Sequence, residues 1–210
     1  MILNLFYKPE RYKPVVAASE LSVSPSGIKG AIYAAPIRHV LIVPRTTLTE
    51  FRLEPGDLRE NLVIDDSAIG DLHAFPSGTV LAIGKVLARL TIHCEPWPRL
   101  SHLVPDFKML RDKRGCLGTF LTSGTVRLGA KIIPQGVQFE AIPFDLKERI
   151  AWYLDKQQSP VPVTTFVRDV GLSLSYCRAV PNLIRDIPGA VDKIEFGRKR
   201  TTQEKRLLLS

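Results

Sequence analysis

Between its start and about Gln138 the chain alternates short β-prone runs with proline and glycine, and almost no stretch there sustains a helical period. Residues 15–18, 31–34, 39–43, 62–64, 79–83 and 88–92 are such runs, and the opening MILNLFY reads as a first strand. In 117–122 and 125–132, Phe120, Val126 and Leu128 suit a pleated surface, and Ser123-Gly124 has the form of a two-residue hairpin link. Proline and glycine fall mainly between the runs, as paired strands require. Residues 1–138 are therefore expected to form a β-barrel or closely packed sheets, with 48–53 as a short helix.

After Gly136 the period lengthens. Asp145 and Glu148 resemble a capping box, and Leu146, Ile150, Tyr153 and Leu154 follow at helical spacing. A second helix fits 165–170, with Thr164 as cap and Gly171 as stop. A third runs to Ile187, with Val180, Leu183, Ile184 and Ile187 on one face and Pro188-Gly189 ending it. Three short helices over 143–197 suit a helix-turn-helix module. A basic tail, 198–210, completes the chain.

Bulk properties narrow the function classes. At 210 residues the chain accommodates a medium domain and a small one, and 45% hydrophobic residues exclude a disordered protein. No apolar run approaches the roughly 20 residues that cross a bilayer. MILNLFY is too short for a signal peptide, so a soluble, cytoplasmic protein is expected. Cys94, Cys116 and Cys177 lie far apart, which excludes a disulfide framework and a cysteine-only zinc site and favours a reducing compartment. Of the net charge of +8, half falls on the residues from 143 onward, a concentration that suits nucleic acid or a solvated face. Neither a Gly-x-Ser-x-Gly elbow nor a phosphate-binding Gly-x-x-x-x-Gly-Lys-Ser/Thr loop occurs.

Four segments in order, PSGIKGAIYAAPIRHVLIV, PGDLRENLVI, LTIHCEPWPRL and RGCLGTFLTSGTVRLGAKI, resemble the MOSC domain family, named for the C-terminal part of molybdenum cofactor sulfurases. The likeness spans most of residues 3–134. It implies a β-barrel, and it implies either sulfur carriage or molybdenum cofactor binding for reduction of N-hydroxylated compounds. In that family a cysteine in a Pro-Cys context carries the chemistry, since soft thiolate sulfur suits both roles. Here that position is Trp97, and the usual Gly-Asp-His is Gly30-Ala31-Ile32. The resemblance then leaves Cys94 as the local thiol, with Arg38, His39, Arg59, Glu60, Asn61 and Trp97 around an anion-accepting pocket. The alternative makes Cys94 a small buried residue and has Glu60 and Asn61 organise their loop through backbone hydrogen bonds. His93 falls on the opposite strand face from Cys94. His73 and His102 stand isolated.

PVPVTTFVRDVGLSLSYCRAVPNLIRDIP resembles the winged-helix DNA-binding part of the alkylguanine-DNA alkyltransferases, through Gly171, Arg178-Ala179-Val180 and Pro188. By that likeness Arg178 replaces an extruded base in the minor groove. Ala179 permits close approach, and Asn182 and Arg185 face the DNA backbone. An arginine there compensates the few kcal/mol that base flipping costs. Arg198, Lys199 and Arg200 would add phosphate contacts. The reactive Pro-Cys-His-Arg is absent, which excludes alkyl transfer; Val163 stands for the family tyrosine and Pro181 for a glycine. The expectation is a DNA-associated MOSC-type protein whose barrel holds a small ligand or acts as a scaffold. The rivals are a molybdenum-cofactor reductase or sulfur carrier using Cys94, and helices that serve docking or dimerisation.

Overall fold

The β-prone runs pair across long stretches of chain into one curled sheet. The computed structural model describes residues 1–10, 13–32 and 35–197. It divides into two units, Met1–Asp145 and the part from Leu146 onward. The first unit holds β1 (Ile2–Tyr7), β2 (Val16–Ala18), β3 (Glu20–Ser24), β4 (Gly27–Ile28), β5 (Val40–Pro44) and β6 (Leu62–Ile64). It continues with β7 (Thr79–Ile83), β8 (Val86–His93), β9 (Cys116–Phe120), β10 (Gly124–Arg127) and β11 (Ile132–Val137). The large sheet runs β11-β7-β8-β9-β5-β6-β1-β2, and β10-β3-β4 form a smaller one.

Two features curl the sheet into a half-barrel. β5 and β6 are parallel, joined over α1 (Arg45–Phe51), which ends where Arg52 adopts a left-handed φ of 53°. The Ile2 N–H donates to the Ala130 carbonyl and the Gly129 N–H to the Ile2 carbonyl, both at 2.9 Å, which draws the approach to β11 against β1. Ile42, Leu62, Ile64, Leu81, Ile83, Ala88 and Phe120 fill the interior. Truncating a ring as buried as Phe120 costs about 3–5 kcal/mol.

Local signals mislead in two places. Residues 31 and 32 are not in a strand. Ser123-Gly124 is not a hairpin link: β9 pairs with β5 and β8, whereas β10 pairs with β3, with Val126 opposite Leu21. The exit of β9 stays on β8 instead, through Leu121 N–H to the Leu87 carbonyl at 2.8 Å and Leu87 N–H to Thr122 Oγ1 at 2.9 Å.

The second unit contains α2 (Leu146–Asp155), β12 (Val161–Pro162), α3 (Val163–Asp169), a 3-10 turn (Leu174–Arg178), α4 (Val180–Leu183), a second 3-10 turn (Val191–Lys193) and β13 (Ile194–Glu195). Ile150, Leu154, Phe166, Val167, Val170, Val180 and Ile184 form its core. Arg149 is buried there and donates from Nε to the Val170 carbonyl at 3.0 Å, while Tyr153 donates to Asp169 at 2.8 Å. The third helix is shorter than expected. After α4 the bond from Ile187 N–H to the Ile184 carbonyl spans three residues, so the chain tightens before Pro188-Gly189. β12 and β13 are parallel, and among the described residues of this unit there is no antiparallel wing. No described helix is long and apolar enough to cross a membrane.

Candidate functional site

Cys94 is the first residue after β8, 3% exposed, and its N–H donates to the Gly115 carbonyl at 2.9 Å. His93 points elsewhere: its ring lies 5.9 Å from His73 and 5.6 Å from Phe144, and it meets Asp112 at 3.3 Å. Adjacent strand positions thus serve different surroundings. Gly115 joins the two. Its own N–H donates to His73 Nε2 at 3.1 Å, so His73 is held as the neutral Nδ1–H tautomer, with Nδ1 3.2 Å from Asp71. Burial lowers the His73 pKa, which agrees with a neutral ring and makes the Asp71 contact a hydrogen bond. At Gly115 φ is 101°, and a β carbon would stand 2.3 Å from the Ile42 carbonyl oxygen. Only glycine fits.

Beyond Cys94 the chain turns through Glu95 and Pro96 to Trp97, where three guanidiniums converge. Arg99, Arg59 and Arg114 lie 5.7, 5.9 and 6.0 Å from the indole centroid. Arg59 is presented by a left-handed backbone, φ 59°. Burial lowers its pKa most, followed by the charges of Arg114 and Arg99. Arg114 is 8% exposed and donates to the Glu95 and Leu58 carbonyls at 2.7 and 3.2 Å, while its Nε has no partner. A cation over an indole gains only about 0.5–1 kcal/mol where exposed and about 2 when desolvated. The grouping therefore gathers like charge that its aromatic centre only partly offsets.

Arg59, Trp97, Arg99 and His102 line a cavity of about 460 Å³ together with Phe6 and Asp57. His102, which the sequence leaves isolated, is fixed by the Arg99 carbonyl at 2.7 Å. A second cavity of about 230 Å³ is lined by Lys8, Arg38, His39 and Asn61. Arg38 pairs with Glu95 at 3.1 Å. His39 bonds Thr119 at 2.7 Å, and burial lowers its pKa. Cys94 lines neither cavity.

The two polar residues between Arg59 and β6 act on the backbone. Asn61 Oδ1 accepts from the Leu41 N–H at 3.0 Å, and its amide donates to the Phe6 carbonyl at 3.1 Å. Glu60 is fully buried. Its Oε1 accepts from the Gly56 N–H at 2.6 Å, its Oε2 has no partner, and burial raises its pKa. Lys8, Arg99 and Arg114 are members of the cluster that sequence reasoning missed. A lone cation beside a strand carries no local mark.

In the second unit Arg178 ends a 3-10 turn and is exposed, with no side-chain partner among the described residues. Ala179 is half-buried ahead of α4. Asn182 and Arg185 are exposed and bonded to each other at 2.6 Å. Arg198, Lys199 and Arg200 lie outside the described residues.

No family model and no curated protein matches the sequence. Solved structures do match. YuaD from Bacillus subtilis, 15% identical, covers 66% of this chain and 98% of its own at a TM-score of 0.54. A hypothetical protein, 18% identical, covers 88% and 89% at 0.54. YiiM from Geobacillus stearothermophilus, 13% identical, covers 88% and 98% at 0.52. Likeness at such identity concerns architecture alone: this chain shares its mainly β fold, with the curled half-barrel sheet, with these proteins.

Proposed function

We propose that the barrel binds a small anionic ligand at the Trp97 face. The observation that carries this is the convergence of Arg59, Arg99 and Arg114 on one indole beside a 460 Å³ cavity. The acids close by do not cancel that charge. Glu95 is paired with Arg38, Glu60 is buried with a raised pKa, and Asp57, one acid against three guanidiniums, accepts from the Glu54 N–H at 2.9 Å. The buried Arg114 Nε, without a partner, is a donor still to be satisfied. Calorimetric titration with inorganic phosphate and with nucleoside monophosphates at low salt tests the proposal. Arg59→Met and Arg99→Met are each expected to weaken binding about 10-fold or more, the loss of one charge-assisted hydrogen bond. Heat traces indistinguishable from dilution, or affinities untouched by both variants, refute it.

Molybdenum or sulfur chemistry through Cys94 fits this arrangement poorly. Either role needs a thiolate open to its partner, and Cys94 is 3% exposed and lines neither cavity.

A second reading, DNA association through the second unit, is favoured by the exposed and unpartnered Arg178 at the entry to α4. In a salt titration of duplex binding, Arg178→Ala is expected to reduce affinity several-fold. Equal affinity of variant and parent at every salt concentration removes this reading.

A further inference from the structure

We infer that Lys8 is a nucleophilic amine that condenses with small anionic carbonyl compounds in the cavity it shares with Arg38 and His39. The inference rests on the anion-attracting charge proposed above and adds a covalent activity to it.

Lys8 directly follows β1, and its carbonyl accepts from the Ile32 N–H at 2.7 Å, which fixes the backbone against the neighbouring loop. Its side chain is half-buried and lines the 230 Å³ cavity with Ile28, Ile32, Arg38, His39 and Asn61. The ammonium has no hydrogen-bond or ion-pair partner among the described residues. Among its charged neighbours the Cys94 sulfur acts most strongly, to hold the proton, and Arg114, Arg59 and Arg38 act to drive it off. Burial contributes most, and together these hold Lys8 at about 8. Roughly a quarter of the groups would then be free amine at pH 7.5, against about 0.1% for an ordinary lysine. Desolvation and cationic neighbours are the recognised means of making a lysine nucleophilic.

An amine alone does not form an imine quickly, because protons must be moved twice. Lys8 is only half-buried, so solvent water reaches it and moves them.

In the reaction the Lys8 Nζ lone pair forms a bond to the carbonyl carbon as the C=O π pair moves onto oxygen. Water relays a proton from nitrogen to that oxygen, giving a neutral carbinolamine. The nitrogen lone pair then expels the hydroxyl, which leaves as water with one proton taken from solvent. The products are a protonated imine on Lys8 and one water, with no change in oxidation state. Arg114 and Arg59, which act on Lys8 together with the Glu95-paired Arg38 of the cavity wall, favour an anionic carbonyl compound over a neutral one.

The experiment uses the full chain, pyridoxal 5′-phosphate as the anionic aldehyde and pyridoxal as its uncharged counterpart, followed by borohydride reduction and peptide mass mapping. The expected result is a label on Lys8 that forms at least ten times faster than on any other lysine and faster from the phosphorylated aldehyde. Lys8→Arg, which keeps the cation, should abolish that label. Circular dichroism of the variant checks that it folds. Labelling spread evenly over lysines, or equal Lys8 rates from the two aldehydes, overturns the inference. An unlabelled Lys8 in protein that still binds inorganic phosphate overturns it while leaving the anion site standing. A fast label on Lys8 without any phosphate binding sustains the reactive amine and removes the anion site.

Discussion

His73 shows how a single titratable group ties stability to pH here. Its Nε2 must stay unprotonated to accept from the Gly115 N–H, and burial holds its pKa below the ordinary 6.5. Above pH 6.5 the folded and unfolded chains are both neutral at this position, and the full stability is present. Below it the unfolded chain takes up the proton first, so stability falls until the folded pKa is reached and then levels. Thermal melts from pH 8 to pH 5 should show this loss, and His73→Asn should flatten part of the slope; His39, depressed for the same reason, supplies another part. A variant slope as steep as the parent's excludes the assignment. Such single-residue roles were unevenly legible. That His93 and Cys94 face different surroundings follows from strand alternation, which any sequence displays. Around Trp97, Arg59 was grouped with the indole by the family resemblance, whereas Arg99 and Arg114 were not, and only folding brings Arg114 to the ring.

At the scale of elements, what decides the barrel is pairing between distant strands, and one side chain is central to it. Asn61 stitches β5 to β1 from the residue before β6, donating to Phe6 and accepting from Leu41, while its own backbone bonds both strands as well. Asn61→Ala leaves two buried backbone groups without partners, at roughly 1–3 kcal/mol each. Denaturant unfolding should register that loss with an unchanged slope, and a loss below about 0.5 kcal/mol would mean the strands do not depend on the amide. Element positions were more legible than element partners. The runs at 62–64 and 79–83 coincide with β6 and β7, since hydrophobic period is a local property. The Ser123-Gly124 turn chemistry was equally local, yet β10 pairs with β3, about a hundred residues earlier in the chain, for which a hairpin signal has no term. The third helix of the second unit erred in length for a similar reason: its apolar face was correct, with Val180 and Ile184 buried, but 3-10 turns satisfied the backbone in place of a continued α-helix.

For the whole molecule, the division after Asp145 gives each unit its own core, one around Ile42, Leu81 and Phe120, the other around Ile150, Phe166 and Val180. YuaD matches over 98% of its chain while covering 66% of this one. Residues 1–145 expressed alone are accordingly expected to unfold in one cooperative transition, followed by differential scanning calorimetry. A broad, non-cooperative trace would show that the barrel needs the helical unit. The two tryptophans of the chain are divided between the units: Trp97 sits among three guanidiniums in the barrel, and Trp152 lies under the Lys156 ammonium at 4.2 Å in α2. Each half thus carries a built-in fluorophore in a distinct electric field. Replacing either indole with phenylalanine leaves an emission spectrum that reports on one half alone, with no dye attached.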